Sequence, residues 1–328
     1  MAQHMLFGRK KQTTFQAFLS GTPARDYVFW QTPYKEQIKQ AADLIKEAEY
    51  ILIGAGAGLS TAAGLTMGGP RFTDNFKDFI EKYGGPYMRD MYSAGFYPFP
   101  NEEAKWGYWS RNGMVNRVLT GALPLYKNLC RLVEGKKYFV LTTNVDHQFF
   151  LSGFDEKNIF ATQGDYGLIQ CQKGCHPKTY DAVKMFRQMD RARENCLVPS
   201  YMVPKCPVCG GPMEMNLRCD RYFVEDEAWH EAERRFGDYL NECRDKKTVL
   251  LELGAGFNTP TIIRFPFEKL IREHKNMSLI RLNLDEAIVP EEFAGRAVGI
   301  NEDMVRSIED LLNAVLGDDT EQGAGNIN

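Results

Sequence analysis

The sequence lacks several features that would point to membranes, nucleic acid or secretion. No apolar run approaches the roughly 20 residues needed to cross a bilayer. The net charge is -3 over 328 residues, so there is no strong electrostatic signal for polyanions. Residues 1–12 lack the apolar segment of a signal peptide. The eight cysteines are too few for a disulfide framework in a chain this long. We therefore expect a cytoplasmic protein that binds neither membranes nor nucleic acid.

What the chain does contain is an alternation of short apolar runs and amphipathic segments. Apolar runs that predict buried strands occur at residues 50–53, 138–142, 158–162, 248–253 and 279–283. Segments that predict helices occur at residues 31–49, 123–133, 225–244 and 305–316. This order predicts an α/β fold, a Rossmann-like doubly wound parallel sheet, which carries a small zinc-binding module and a helical insert.

A glycine-rich stretch at residues 51–65 follows the first strand and opens a helix. We expect Gly54, Gly56 and Gly58 to adopt positive φ and to let the backbone approach a ligand closely. The helix start would offer unpaired N–H groups to a pyrophosphate. The glycine spacing departs from G-x-G-x-x-G, and a turn without a ligand is the alternative.

Small polar or glycine clusters also end the later strands. These clusters are residues 143–146, residues 163–165, residues 254–256 and Asn283. Because ligands of doubly wound sheets bind at the carboxyl ends of the strands, five such clusters predict the rim of a nucleotide pocket.

Two cysteine pairs predict a metal site. Cys171 and Cys175 are followed about thirty residues later by Cys206 and Cys209, and glycines follow the second pair. Four thiolates complete a tetrahedral structural zinc site. Cys196 and Cys219 lie nearby and are competing ligands, and His176 adjoins Cys175.

Composition divides the chain further. Residues 1–30 form an N-terminal extension, and residues 317–328 are rich in Gly, Asp and Asn and predict a disordered tail. Residues 31–66, 121–165 and 248–316 would form the Rossmann-like domain, and residues 166–247 the zinc-binding domain. Residues 67–120 are rich in aromatic residues and predict either a helical core or a mobile cover over the cofactor.

The order of these motifs resembles the sirtuin family from about residue 35 to residue 315. Residues 56–65 resemble the sirtuin NAD-binding opening, residues 143–146 the Gln-Asn-Ile-Asp element, and the cysteine pairs the zinc module. The resemblance implies NAD as ADP-ribose donor. The residues it implies for cofactor binding are Gly54, Ala55, Gly56, Ala57, Gly58, Leu59, Ser60, Arg71, Phe72, Thr143, Asn144, Asp146, Gln163, Gly254, Ala255, Gly256 and Asn283.

Departures from the family pattern indicate which group of sirtuins the chain resembles. The sirtuin Pro-Asp-Phe-Arg segment is replaced by residues 66–72, with Arg71 and Phe72 as stand-ins, and the catalytic His-Gly is replaced by Gln163 and Gly164. This combination resembles the macrodomain-linked class M sirtuins. That resemblance implies protein ADP-ribosyltransferase activity on a lipoylated carrier related to glycine-cleavage H protein, and a partner macrodomain hydrolase that removes the modification.

The residue at position 163 decides which chemistry we expect. Deacylation needs a base, and a histidine can serve as one, whereas a glutamine amide can only orient groups through hydrogen bonds. Transfer to an already ionised acceptor needs no base. We expect Asn144 to position the ribose or a water, Gln163 to orient the ribose or the acceptor, and Asp165 to help electrostatically. His147 could be a displaced base, but alternation along a strand would point it away from the pocket.

Three functions remain open from the sequence. A protein ADP-ribosyltransferase is the leading hypothesis. The alternatives are an NAD-dependent protein-lysine deacylase that uses another residue as base, and a catalytically silent NAD-sensing protein.

Overall fold

The computed structural model describes residues 32–257 and 260–317. The predictions for the N-terminal extension and for residues 318–328 of the tail lie outside the described residues, as do Asn258 and Thr259. Within the described ranges, no helix is long and apolar enough to cross a membrane.

The main sheet has six strands, and all of its pairings are parallel. Its strands are β1 (Tyr50–Ala55), β2 (Lys137–Thr142), β3 (Ile159–Ala161), β7 (Thr248–Leu253), β8 (Met277–Leu282) and β9 (Ala297–Ile300). Their order in the sheet is β3-β2-β1-β7-β8-β9. Every residue of β1 and β7 is buried, which is why these strands are near-continuous apolar runs without alternation.

Helices cover both faces of this sheet. The helices flanking it are α1 (Tyr34–Glu47), α2 (Ala57–Ala62), α7 (Pro124–Leu132), α8 (Gln148–Leu151), α10 (Glu227–Cys243), α11 (Arg264–Glu273) and α12 (Met304–Leu316). One core contains Ile51 and Ile53 with the apolar faces of α1, α7 and α12. The opposite core contains Leu52 with apolar residues of α10 and α11. Because alternate residues of β1 enter different cores, both faces of the strand must be apolar.

A second sheet contains three antiparallel strands in the order β5-β4-β6. These strands are β4 (Gly164–Cys171), β5 (Thr179–Asp181) and β6 (Met213–Leu217), and α9 (Val183–Ala192) follows β5. Phe186 and Met189 of α9 are buried in the core beneath this sheet. Cys171 is the last residue of β4, and two residues separate the end of β3 from the start of β4.

The segment between β1 and β2 forms helices around an aromatic core. They are α3 (Pro70–Asn75), α4 (Lys77–Tyr83), α5 (Met91–Ala94), α6 (Glu102–Gly113) and a π-helix (Met114–Val118). Phe76 and Phe79 are fully buried and pack on Tyr108 at ring-centroid distances of 5.3 and 5.7 Å. This core accounts for part of the aromatic composition of residues 67–120, whereas Tyr92 and Phe96 are exposed.

The predicted α/β class with a Rossmann-like parallel sheet is confirmed, and the structure shows six strands in that sheet and a small second sheet beside the four-cysteine cluster. All five predicted strands and all four predicted helices are present, with ends that move by a few residues. The sequence reasoning did not predict β9, β4, β5 or β6. β5, β6 and β9 are short, and β4 includes two glycines and the polar residues Asp165 and Gln170, so they produced no continuous apolar run.

Candidate functional site

The candidate site lies where the strand order of the main sheet reverses direction. From β1 the chain proceeds outward through β2 and β3, and later outward on the other side through β7, β8 and β9. The reversal lies between β1 and β7, at Ala55 and Leu253. In this class of fold, nucleotides bind in a crevice at the carboxyl edge of the sheet beside such a point.

The glycines after β1 serve close packing between two loops. A Cβ on Gly56 would lie 2.7 Å from the Gly254 carbonyl oxygen, and a Cβ on Gly58 would lie 2.7 Å from Gly254 Cα. A Cβ on Gly54 would meet Ile263 at 2.5 Å. Gly254 has φ +61°, in the left-handed region that favours glycine.

The expectation of positive φ at Gly54, Gly56 and Gly58 is therefore wrong, because none of them has a φ in that region. The expected unpaired N–H groups also need correction: the Gly58 N–H donates to Gly254 O at 3.0 Å, and the Leu59 N–H to Gly56 O at 3.1 Å. Ala55 is the last residue of β1, and Ala57 is the first residue of α2. The glycines are needed because the loop after β1 and the loop after β7 touch each other.

A buried polar network joins the loops after β1 and β2. Asn144 Nδ2 donates to Gly56 O at 3.0 Å and lies 3.4 Å from the Tyr126 hydroxyl. Ser60 Oγ lies 3.0 Å from the same hydroxyl and donates to Asp146 Oδ2. Burial raises the pKa of Tyr126 well above its usual value and also raises that of Asp146. The sequence-predicted residues Ser60, Asn144 and Asp146 are thus brought together.

Thr142 and Thr143 fix the start of this loop. Thr143 N donates to Ala55 O at 3.0 Å, and Thr142 Oγ1 donates to the same carbonyl at 3.0 Å. Thr142 Oγ1 in turn accepts from Asn144 N at 3.0 Å. The backbone that carries Asn144 is therefore bound to the end of β1, which holds the amide side chain at the crevice edge.

Gln163 occupies the junction between the two sheets. It lies between β3 and β4, and its Nε2 donates to Thr162 Oγ1 at 3.1 Å. The backbone carbonyl of Gln163 accepts from Arg218 N at 3.0 Å. Gly164 begins β4 with φ +97°, and a Cβ at this position would collide with Asn216 O. The side chain is half-buried, so its amide is held at an accessible edge.

Asp165 is the centre of a cluster of charged side chains. Its Oδ1 accepts from Arg117 Nε at 3.1 Å and from Gly167 N at 2.6 Å, and its Oδ2 is bound to His147 Nδ1. Burial alone would raise the pKa of Asp165, but the hydrogen bond and charge of His147, with the Arg117 guanidinium, lower it below its usual value. The carboxylate is ionised and both of its oxygens are occupied.

His147 differs from the sequence expectation. It does not lie on a strand: it has φ 66° and precedes α8, and its ring stacks on Phe150 at a centroid distance of 4.3 Å. The alternation argument that pointed it away from the pocket is therefore wrong. The imidazole joins the loop after β2 to Asp165 at the start of β4.

Arg71 and Phe72 lie in the insert. Arg71 donates to Thr66 O at 2.9 Å and to Val115 O at 3.0 Å, the latter in the π-helix. Burial lowers the pKa of Arg71. Phe72 is 1 % exposed and stacks on Phe76 at 5.3 Å, inside the aromatic core. The structure therefore leaves the Phe72 side chain without a face toward the crevice.

The loops after β7 and β8 form the other side of the crevice. Asn283 Nδ2 donates to Ala255 O at 3.3 Å, and Asn283 Oδ1 accepts from Glu286 N at 3.1 Å. Gly256 faces Glu286, whose Oε2 would lie 3.2 Å from an added Cβ. Gly254, Ala255, Gly256 and Asn283 are thus neighbours, as the sequence predicted for strand ends of one sheet edge.

A network of buried ion pairs lies next to the loops after β7 and β8. Glu252 is fully buried and accepts from Arg264 Nε at 3.2 Å and from Arg281 Nη2 at 2.8 Å. Arg281 also donates to Glu268 at 3.0 Å. A buried charge is tolerated only when it is paired in this way. The network fixes β7, β8 and α11 relative to one another.

Four cysteines form a metal-type cluster. The Sγ atoms of Cys171, Cys175, Cys206 and Cys209 all lie within 4.8 Å of one another, with Cys171 to Cys209 at 3.7 Å and Cys175 to Cys206 at 3.6 Å. Tetrahedral thiolates at about 2.3 Å from zinc would be about 3.8 Å apart. Burial raises the pKa of Cys171, but backbone hydrogen bonds from Cys175 and Lys173 lower it to about 6, which favours the ligating thiolate. The donor set and its spacing fit zinc.

Two side chains at the site escaped the sequence reasoning. Tyr126 was expected only as part of a helix, and periodicity places it on the buried face without predicting that its hydroxyl reaches Ser60. Arg117 lies in a π-helix, a conformation that is enriched at functional sites but has no simple sequence signature.

Comparison with solved structures identifies the fold as that of the sirtuins. A Sir2 homologue in complex with NAD aligns with a TM-score of 0.56 over 85 % of this chain and 94 % of that chain, at 15 % identity. A Sir2 protein bound to a propionylated peptide aligns with a TM-score of 0.51 over 84 % and 97 %, at 19 % identity. The parallel sheet, the crevice and the four-cysteine module therefore define a sirtuin-fold protein. No family model matches the chain.

Sequence relatives identify the family within that fold. A protein ADP-ribosyltransferase of Staphylococcus aureus is 36 % identical over 296 residues, which cover 89 % of this chain and 92 % of that protein. A probable bifunctional ADP-ribose hydrolase/ADP-ribosyltransferase of Fusarium oxysporum f. sp. cubense is 32 % identical over 83 % of this chain, and the match covers 47 % of that longer protein. The chain belongs to the family of the Staphylococcus protein ADP-ribosyltransferase.

Proposed function

We propose that this protein is an NAD-dependent protein ADP-ribosyltransferase whose acceptor is a lipoylated carrier related to glycine-cleavage H protein. The observation that carries the proposal is the Gln163 amide at the junction of the two sheets, bound to Thr162 Oγ1 at 3.1 Å. An amide has no basic site at working pH, so it orients groups and cannot remove their protons.

The crevice residues suit a dinucleotide. Thr143, Asn144, Gln163 and Asn283 supply neutral hydroxyl and amide groups, which match ribose hydroxyls as donors and acceptors. NAD, when bound, supplies ADP-ribose and a nicotinamide leaving group. The bond from the ribose C1′ to the nicotinamide nitrogen breaks, its electron pair leaves with nicotinamide, and the acceptor forms the new bond to C1′.

Each site residue has a proposed role in that transfer. Asn144, held by Gly56 O, positions the ribose, and Gln163 orients a ribose hydroxyl or the acceptor. Asp146, buried beside Ser60, braces the loop that carries Asn144. Asp165, with both oxygens occupied, braces the Gln163 turn. The cofactor-binding roles of Arg71 and of residues 54–60 and 254–256 also belong to this proposal.

The remaining partners follow from the same assignment. The four cysteines hold a structural zinc ion that organises the small sheet. A macrodomain hydrolase removes the modification, and the longer Fusarium relative, which is named for both activities, supports this pairing. The cysteines of the described residues form no disulfide, which suits the cytoplasm. The proposed domains remain residues 31–66, 121–165 and 248–316 for NAD and residues 166–247 for zinc.

One assay separates transfer from its alternatives. The protein is mixed with NAD, a lipoylated H-type carrier and an acylated peptide, and products are read by mass spectrometry. We expect ADP-ribose on the carrier and released nicotinamide. The appearance of O-acyl-ADP-ribose would show deacylation instead, and NAD binding without nicotinamide release would show a silent sensor.

The pair formed by His147 and Asp165 favours the deacylase as the second candidate, because a carboxylate-bound imidazole is the usual form of a general base. His147→Gln tests it. Under transfer the variant keeps its activity within a few-fold, whereas a base would lose about 100-fold or more. Asn144→Ala should abolish turnover, and an active Asn144→Ala variant would remove that residue from the mechanism.

A further inference from the structure

Helix α9 of the small domain carries a row of cations that the site does not use. Lys184, Arg187 and Arg191 are exposed and follow the i, i+3, i+7 spacing that places residues on one helix face. None of the three has an ion-pair partner among residues 32–257 and 260–317. In a protein with net charge -3, a row of three unpaired cations is a local feature with its own electrostatic field.

An apolar groove lies alongside this row. Its volume is about 650 Å³, and its lining residues are Met185, Gln188, Met189, Arg191, Ala192, Tyr201 and Met202. Tyr201 is 83 % exposed, the highest value among the exposed large hydrophobic residues of the described chain. Methionine side chains adapt to different shapes, so a groove lined by three of them suits an inserted apolar side chain.

The nearby acidic groups leave the cationic row unneutralised. Asp190, on the same helix, is 16 % exposed and is paired with Arg111 at 3.3 Å and with Arg193 at 3.8 Å. Glu103 accepts from Ser200 Oγ at 2.8 Å, next to Tyr201 in sequence, and forms no ion pair with the row. The exposed Asp181 and Glu194 lie three residues beyond the two ends of the row and form no ion pair with it among the described residues. The charge of the row is therefore available to a partner.

The helix also begins beside the candidate site. Ala182 N donates to Gly167 O at 2.8 Å, and Val183 Cγ2 lies 3.3 Å from the position of a Cβ on Gly167. Gly167 N is bound to Asp165 at 2.6 Å. The three cations of the row span about 10 Å along the helix axis, because an α-helix rises about 1.5 Å per residue. A protein seated on it would lie next to the Gln163 turn.

We propose that α9 and the groove form the docking surface for the acceptor protein, which presents an acidic face and inserts one apolar side chain between the methionines and Tyr201. This rests on the proposed transferase function. Opposite charges steer the encounter and fix the orientation, and the buried apolar side chain supplies the anchor. The apolar groove favours a protein over a nucleic acid, whose backbone would contact the cations alone.

The test compares two triple variants with the same change in net charge. Lys184→Glu/Arg187→Glu/Arg191→Glu reverses the row, and Lys35→Glu/Lys39→Glu/Lys127→Glu reverses three exposed cations on α1 and α7 that also lack ion-pair partners in the described chain. Transfer is measured with labelled NAD and the lipoylated H-type carrier. The α9 variant should raise the KM for the carrier at least 10-fold while the NAD dissociation constant stays unchanged, and the control should match the wild type.

Salt and the groove supply independent readouts. The wild-type KM for the carrier should rise with ionic strength, and that dependence should flatten in the α9 variant. Tyr201→Ser should weaken carrier binding at least several-fold without changing the salt dependence. An α9 variant with a wild-type KM, or a control that loses as much, would overturn the docking surface while leaving the transferase function intact.

A direct binding experiment tests the docking surface even if no ADP-ribose transfer occurs. A fluorescent glutamate-rich peptide with one leucine should bind the wild type at low salt and bind the α9 variant at least 10-fold more weakly. Equal binding of the peptide to both proteins overturns the proposal. So does RNA of equal charge that binds the wild type more tightly than the peptide and loses affinity for the α9 variant. A dimer that light scattering detects in the wild type but not in the α9 variant also overturns it. Wild-type protein that binds the peptide but modifies no carrier refutes the proposed acceptor and not the surface.

Discussion

Replacing Asp165 by asparagine separates a bracing carboxylate from one that takes part in the chemistry. The side chain is 14 % exposed and receives hydrogen bonds from Arg117, His147 and Gly167. Asp165→Asn keeps the shape but removes the charge that balances Arg117, which is itself 15 % exposed. Breaking a buried ion pair by removing one partner costs about 3–5 kcal/mol, and this partial exposure places the expected loss near about 3 kcal/mol.

Urea unfolding followed by tryptophan fluorescence measures that loss. The matched control is Asp238→Asn, since Asp238 lies 3.0 Å from Arg234 but is 61 % exposed, and exposed pairs contribute less than about 1 kcal/mol. The folded variant should keep more than about a tenth of wild-type transfer. An Asp165→Asn protein that is as stable as the wild type yet inactive would show that the carboxylate acts in the chemistry.

The pH dependence of the same pair has a definite sign. The pKa of Asp165 is lowered in the folded protein, so its contribution to the unfolding free energy is present above the unfolded value of about 4 and is lost as the pH falls through the folded value. The stability difference between wild type and Asp165→Asn should therefore shrink as the pH falls below about 4. A gap that widened in acid would contradict the assignment.

Three further predictions concern the scaffold. Glu252→Gln leaves Arg264 and Arg281 buried without their shared carboxylate, so it should lower the unfolding free energy by about 3–5 kcal/mol in the same urea assay. The control Glu292→Gln removes an exposed carboxylate and should cost less than about 1 kcal/mol. Gly254→Ala places a Cβ 2.4 Å from Leu59 N on a backbone with left-handed φ, so it should lower the unfolding free energy by more than about 2 kcal/mol. The control Gly135→Ala has φ +76° but open space around its Cβ, and thermal melts should show a loss of about 1 kcal/mol. Cys206→Ser or a strong chelator should remove one equivalent of zinc by elemental analysis and lower the melting temperature; an unchanged metal content would refute the cluster as its site.

The main sheet could be predicted from sequence because its strands are buried on both faces. Strands such as β1 and β7 have no polar residue facing water, and their continuous apolar runs are visible without any structure. The small sheet gave no such signal, because glycines and polar residues interrupt the apolar residues of β4 and β6, and β5 has no buried residue. Its cysteines were predicted because metal ligation constrains residue type and spacing directly.

The site was predictable as a set of positions but not as a set of contacts. Strand ends of one sheet edge must converge, so Asn144, Gln163 and Asn283 were identified from their places after strands. Which partner each side chain meets depends on helices far away in sequence: Tyr126 reaches Ser60 across 66 residues, and Arg117 reaches Asp165 across 48. The role of the glycines was misjudged for the same reason, because their close neighbour is a loop about 200 residues later.

The contact between the glycines after β1 and Gly254 has a consequence for engineering the crevice. A methyl group on Gly56, Gly58 or Gly254 would overlap the facing segment, so these three positions cannot be varied independently of the backbone opposite. A library that substitutes Gly56 and Gly58 alone should therefore be enriched in destabilised variants. Variants with a wider or differently shaped cofactor cleft should be sought by remodelling the segment after β7 first and diversifying residues 54–58 afterwards.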